Sequence, residues 1–132
     1  MDPGPLVSEQ IDAYARFLDE FQKYAPVRAA FWLKEGDGGH RYLYLASDQI
    51  SDENFDRAYE EVARIAGRLQ DPWFDPFRVK VLGTHRPLAK AVLDVIRQYG
   101  DKRPIRLCGT TLGGRDVDEL YVCPAPAAAG MP

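Results

Sequence analysis

The sequence is short of the residues that mark secreted, membrane-spanning and metal-binding proteins. It contains only two cysteines and two histidines, too few for a disulfide framework or a zinc-ligand set. No apolar run approaches the roughly 20 residues that a membrane span needs. The opening segment MDPGPLVSEQ carries an acid where a signal peptide carries Lys or Arg. We therefore expect a cytoplasmic protein with no metal and no other cofactor.

Familiar catalytic motifs are also missing. The sequence has no H-E-x-x-H, G-x-S-x-G or C-x-x-C motif, and no Walker or G-x-G-x-x-G loop. Cys108 could form a nucleophile–base pair with His40 or His85, but a lone cysteine on a strand is more often a small packing residue. We therefore favour a non-catalytic function and keep a small enzyme as an alternative.

The composition indicates one domain. Apolar residues make up 45% of the chain, which suffices for a single continuous core. We expect one globular domain over residues 1–123 and a disordered Pro/Ala-rich tail over residues 124–132, which has too little apolar bulk to dock. Because the net charge is only −3, the distribution of charge says more about a partner than its total does.

Hydrophobic periodicity predicts three helices and five strands. A spacing of three and four marks the helices, and alternation marks the strands. The predicted order is α-β-β-α-β-α-β-β, which indicates an α+β fold. We expect a two-layer sandwich with a mixed five-stranded sheet, in which the second and third helices are crossover connections on one face. The pattern does not determine where the first helix packs.

The first predicted hairpin turns at EGDGG, residues 35–39. A simple register sets Phe31 across from Leu43 and Ala29 across from Leu45. The three aromatic residues that this register leaves together on the other face are Trp32, Tyr42 and Tyr44. We expect these rings to be at least partly exposed.

The second predicted hairpin turns at Gly113 and Gly114. This register places Cys123 opposite Pro104, roughly 13 Å along the strand from Cys108. Bridged Cα atoms lie within roughly 7 Å of each other. We therefore expect both cysteines to be free thiols.

The predicted strands carry a basic and aromatic face. They contain six Lys or Arg against two acids, whereas acids exceed bases in the rest of the chain. Aromatic rings stack on bases while Lys and Arg neutralise phosphates, so this face predicts binding of single-stranded nucleic acid. A protein partner or homodimer on the same face is the alternative, and plain strand packing explains such rings too. The predicted binding residues are Arg28, Trp32, Lys34, Tyr42, Tyr44, Arg78, Lys80, Arg106 and Tyr121.

The segment GTHRP, residues 83–87, is a second candidate site. A strand end leads here into a helix N-terminus, whose free backbone N–H groups favour an anion. The predicted anion-binding residues are Thr84, His85 and Arg86. Plain helix capping, with Pro87 in the first turn, is the simpler alternative.

Overall fold

The computed structural model describes residues 8–35, 41–100 and 105–123. His40, most of the predicted EGDGG turn, Pro104 and the predicted tail over 124–132 lie outside the described residues. The elements are α1 Ser8–Tyr24, β1 Ala29–Lys34, β2 Arg41–Ser47, α2 Phe55–Leu69, a 3₁₀ turn Pro76–Arg78, β3 Val79–Gly83, α3 Pro87–Tyr99, β4 Ile105–Leu112 and β5 Arg115–Val122. The predicted α+β class and the predicted element order are confirmed.

The five strands form one mixed sheet in the order β3-β2-β1-β5-β4. Strands β2 and β3 are parallel, and the other neighbouring pairs are antiparallel. A parallel pair needs a crossover connection, and α2 supplies it. The α2 residue Tyr59 also accepts a hydrogen bond through its hydroxyl from the Val81 N–H at 3.1 Å. This contact occupies one backbone donor of the edge strand β3.

Helices cover both faces of the sheet. Helices α1 and α2 pack on one face, where Phe17 and Val62 join one buried cluster. Helix α3 packs on the other, where Val92 joins a second cluster. The expectation that α2 and α3 share a face is therefore wrong. Strands β3 and β4 lie at opposite edges, so the chain must cross the sheet between them, and α3 does so on the face that α1 and α2 leave open.

The first hairpin differs from its predicted register by one residue. Phe31 pairs with Tyr44, and Trp32 pairs with Leu43. A one-residue shift turns side chains to the opposite face of the sheet. Trp32 therefore faces α1 and α2, whereas Tyr42 and Tyr44 face the α3 side. The expectation that these three rings share a face is wrong, because both faces of this hairpin are apolar and alternation does not single out one of them.

The second hairpin has the predicted register. Ile105 pairs with Val122, and Leu112 pairs with Arg115. The two turn residues between them, Gly113 and Gly114, have φ values of 55° and 85°, as a type I′ turn requires. Both cysteines are free thiols, as predicted.

The tip of the second hairpin contacts the beginning of α3. A Cβ added to Gly113 would lie 2.9 Å from the backbone N of Leu88, so only glycine allows this approach.

In the described part of the chain, no helix is long and apolar enough to cross a membrane.

Candidate ligand-binding surfaces

Two of the predicted stacking rings are buried. Trp32 is 5% exposed, and its ring meets the edge of Tyr14 on α1 at a centroid distance of 4.8 Å. Tyr44 is 6% exposed and stacks on Phe31 at 5.4 Å. A close-packed interior leaves neither ring free to receive a base. The wide sheet face predicted from the sequence is therefore divided between two cores.

One group of predicted residues stays together, and we call Tyr42, Arg78 and Lys80 the Tyr42 surface. Tyr42 is half-buried on the α3 side of the sheet. The Lys80 Nζ lies 4.7 Å from its ring centroid, and the Arg78 Cζ lies 6.0 Å from it, within cation–π distance. Lys80 is exposed and makes no ion pair within the described ranges. Arg78 reaches the Asp75 carboxylate only at 3.8 Å.

A second group lies on the opposite side of the sheet, and we call Arg41, Arg106, Glu119 and Tyr121 the Tyr121 surface. The Arg106 Cζ lies 5.7 Å from the Tyr121 ring centroid. Glu119 accepts a hydrogen bond from Arg41 Nε at 2.8 Å and pairs with Arg106 Nε at 3.4 Å. One largely buried carboxylate thus contacts two guanidinium groups, of which that of Arg106 lies beside the ring.

The remaining two predicted bases are Arg28 and Lys34. Arg28 precedes β1, and its Nη1 lies 3.0 and 3.2 Å from the two carboxylate oxygens of Asp48. Lys34 ends β1 and pairs in register with Arg41 and Glu119. Neither residue adds charge to the Tyr42 surface.

The GTHRP segment forms the predicted strand end and helix N-terminus, but two of its three predicted anion-binding side chains already have carboxylate partners. Thr84 donates its hydroxyl hydrogen bond to Asp48, and Arg86 pairs with Asp52 at 2.6 Å. The Thr84 hydroxyl, and after it Arg28, hold the pKa of Asp48 below its usual value. His85 is exposed. Thr84 is thus occupied by the Asp48 carboxylate. Of the three predicted anion-binding residues, Arg86 also lines a cavity.

That cavity, which we call the hairpin cleft, lies between the second hairpin, β3 and the beginning of α3, and its volume is about 390 Å³. Its charged lining residues are Glu35, Lys80, Arg86 and Arg115. Arg115 was missed by sequence reasoning, because only the folding of the hairpin tip onto α3 brings it here. A glycine pair followed by an arginine was the only available sequence signal.

The hairpin cleft also contains two tyrosines. Tyr44 and Tyr59 line it. Burial raises the pKa of the Tyr44 hydroxyl, and the adjacent Arg115 opposes part of that rise. Arg115 Nη1 lies 3.5 Å from the Glu35 carboxylate. The cleft thus combines hydroxyl groups with an excess of positive charge.

Exposed aromatic side chains mark the segment between α2 and β3. Phe74 is buried and stacks on Phe17 at 4.6 Å. Trp73 is instead 47% exposed, and Phe77 is 88% exposed. These two rings are available to a partner.

The structure offers little support for metal or thiol chemistry. Within residues 8–35, 41–100 and 105–123, no group of three or more His, Cys, Asp or Glu could hold a metal ion. Cys108 is exposed on β4, whereas burial raises the pKa of the Cys123 thiol to about 12. A thiol with so high a pKa is a poor nucleophile at neutral pH.

Comparisons with known proteins assign no family. No protein-family model, no curated protein and no solved structure matches this chain. Its function therefore has to be inferred from the chemistry of its own surfaces.

Proposed function

We propose that this chain is a non-catalytic module that binds single-stranded nucleic acid at the Tyr42 surface. The observation that supports this is the half-buried Tyr42 ring, with the Lys80 ammonium 4.7 Å from its centroid and without an ion pair in the described part of the chain. A base that stacks on this ring displaces the Lys80 ammonium toward a neighbouring phosphate, whose negative charge it then neutralises. Arg78 meets a second phosphate.

The size of the Tyr42 surface limits the affinity. Stacking on one ring contributes about 1–3 kcal/mol per base, for any base. Two cations neutralise two phosphates, and each contact adds about −0.7 to the log–log salt slope on a single strand. We expect weak binding without strong sequence preference and a slope of about −1.4.

Fluorescence anisotropy of a labelled oligothymidylate, titrated at several salt concentrations, tests this proposal. Replacing Arg78 or Lys80 by Ala should make the slope shallower by about 0.7. Tyr42→Ala should weaken binding at every salt concentration and keep the slope. Arg106→Ala is the matched control, because Arg106 also lies beside a tyrosine but is paired with Glu119, and it should change neither quantity.

Two results would contradict the proposal. One is the absence of detectable binding at low salt. The other is binding that responds equally to the Tyr42-surface variants and to Arg106→Ala, because the bound strand would then lie elsewhere.

A second candidate function is self-association through Trp73 and Phe77. The 88% exposure of Phe77 favours it. Both carboxylates of this segment are paired within the chain, Asp71 with Arg16 and Asp75 with Arg78. Two copies can therefore bring the same patch together without strong charge repulsion, as a two-fold contact requires.

Sedimentation equilibrium over a range of protein concentrations tests this second candidate. Phe77→Ser should abolish a concentration-dependent dimer, whereas Tyr99→Ser, at another exposed ring at the end of α3, should not. A monomer at every concentration would rule the candidate out.

A further inference from the structure

The hairpin cleft carries an excess of positive charge. Three cations line it, Lys80, Arg86 and Arg115, against the single carboxylate of Glu35. Asp52, outside the lining, also pairs with Arg86, and a phosphomonoester, with about −1.5 to −2 charges at neutral pH, attracts these cations more strongly than either carboxylate does. Guanidinium groups also bind phosphate oxygens in a bidentate manner that suits this ligand.

The backbone at one wall of the hairpin cleft adds to this preference. Pro87 and Leu88 line the cleft at the first turn of α3. The N-cap residue Arg86 makes no side-chain capping hydrogen bond, and Pro87 has no N–H, so the backbone contributes here through the helix dipole. The positive end of the helix dipole therefore lies beside the three cationic side chains.

The arginines of the hairpin cleft can exchange partners. Arg86 pairs with Asp52, and Arg115 pairs with Glu35, at the protein surface. Exposed ion pairs of this kind contribute little to stability. A doubly charged ligand can therefore replace both carboxylates at small cost, and Lys80 has no ion pair to break within the described part of the chain.

The hairpin cleft is larger than a phosphate ion needs. Its volume of about 390 Å³ falls within the range of about 300–1,000 Å³ typical of small-molecule sites. Tyr44 and Tyr59 border the remaining space, and Tyr59, which is only partly buried, is the ring that an organic moiety can contact. We propose that the hairpin cleft binds the phosphomonoester of a small organic molecule, through Lys80, Arg86 and Arg115.

Calorimetric melting of the full chain tests this inference, with inorganic phosphate and ribose 5-phosphate as probes. Chloride at matched ionic strength and unphosphorylated ribose are the reference additions. A ligand that binds the folded state raises the melting temperature in a saturable way. We expect saturation with both phosphates, at lower concentration for ribose 5-phosphate, and no saturable effect of ribose.

Variants locate the binding. Arg115→Met and Lys80→Met should each raise the half-saturating concentration by about tenfold or more, since each removes a charged hydrogen bond to the ligand. If Arg115→Met also destabilises the second hairpin, Lys80→Met still tests the role of the cleft, because Lys80 lies on β3. Arg97→Met, at an exposed α3 arginine paired with Asp94, is the matched control and should leave binding unchanged.

Two outcomes would overturn the inference. The first is a phosphate effect no larger than that of chloride. The second is a saturable effect that all variants retain, because phosphate would then bind elsewhere. Arg78→Ala separates the inference from nucleic-acid binding, since Arg78 does not line the hairpin cleft. It should weaken oligonucleotide binding and leave phosphate binding unchanged, so each proposal can fail without the other.

Discussion

The Tyr42 and Tyr121 surfaces contain the same kinds of residue on opposite sides of one sheet. Each has a half-buried tyrosine with cationic side chains beside its ring. They differ in how closely their cations are paired, since Arg78 of the Tyr42 surface reaches Asp75 only at 3.8 Å. Glu119 pairs with both guanidinium groups of the Tyr121 surface, whereas Lys80 of the Tyr42 surface has no ion pair within the described ranges.

This difference shows that residue type alone does not make a binding surface. Glu119 is largely buried and is also held by Arg41, so a phosphate has to displace a partly desolvated partner to reach Arg106, whereas the exposed ion pairs of the hairpin cleft exchange at small cost. On this basis we expect a ligand to prefer the Tyr42 surface, whose Lys80 has no ion pair within the described ranges. Substitutions that alter the helix packing over these surfaces, their exposure to solvent or their charge test this difference.

The largest expected effect is on stability, from a substitution where α1 packs on the Tyr121 side of the sheet. Trp32→Ala removes a ring packed against Tyr14 and should lower the free energy of unfolding by about 3–5 kcal/mol. Tyr42→Ala, at a half-exposed ring, should cost less than half as much. Urea denaturation measures both. Unchanged stability with lost oligonucleotide binding in Trp32→Ala would show that this face is open.

Thiol labelling reports access to the same side. Burial raises the pKa of Cys123 to about 12, so at about pH 8 its thiolate population is about a thousandfold below that of an ordinary cysteine. Cys108, exposed opposite Glu119, should react with a disulfide reagent in a fast phase and Cys123 in a much slower one. Two equal rates would contradict the burial of Cys123, and Cys108→Ser identifies the phases.

Removing the carboxylate tests the charge difference directly. Glu119→Gln should cost about 1–2 kcal/mol of stability, because it breaks a partly buried charged hydrogen bond. It also frees Arg106, so an additional oligonucleotide-binding site should appear at the Tyr121 surface and steepen the overall salt dependence of binding. Asp118→Asn, at the neighbouring exposed acid, is the control for a simple change of net charge. A slope that steepens equally in both variants would refute the special role of Glu119.

The smallest expected effect concerns Asp48, which balances Arg28 as Glu119 balances Arg106. The pKa of Asp48 is lowered in the folded state, so its contribution to stability is present above its unfolded pKa and is lost as pH falls through its folded pKa. Asp48→Asn should melt about 1–3 °C below the native chain near neutral pH. That difference should vanish in strong acid, and a constant difference at all pH values would contradict it.

The second hairpin was predictable because its determinants are local. Two adjacent glycines supply the positive φ values of a tight turn, and the turn then sets the register of both strands. The free cysteines follow from that register. The first hairpin lacks such a turn, and Ala29 to Leu33 are all buried, so alternation could not distinguish its faces. A one-residue difference in register therefore separated Trp32 from Tyr42 and Tyr44.

Part of the candidate site was predictable in the same way. Arg78 and Lys80 alternate along one strand, so their shared face follows from the sequence. Their approach to Tyr42 depends on the parallel pairing of β2 with β3, which the helical crossover brings about. Arg115 of the hairpin cleft could not be found, because its position depends on the contact of Gly113 with α3.

The sequence by itself determined the order of helices and strands, the turn of the second hairpin and the excess of basic residues on the strands. These features depend on periodicity and turn chemistry within a few residues. Only the tertiary structure decided which faces α1 and α3 cover and which cations are balanced. The physical reason is that the pairs of Glu119 with Arg41 and of Asp48 with Arg28 join residues far apart in the chain, and such contacts form only when the strands pack together.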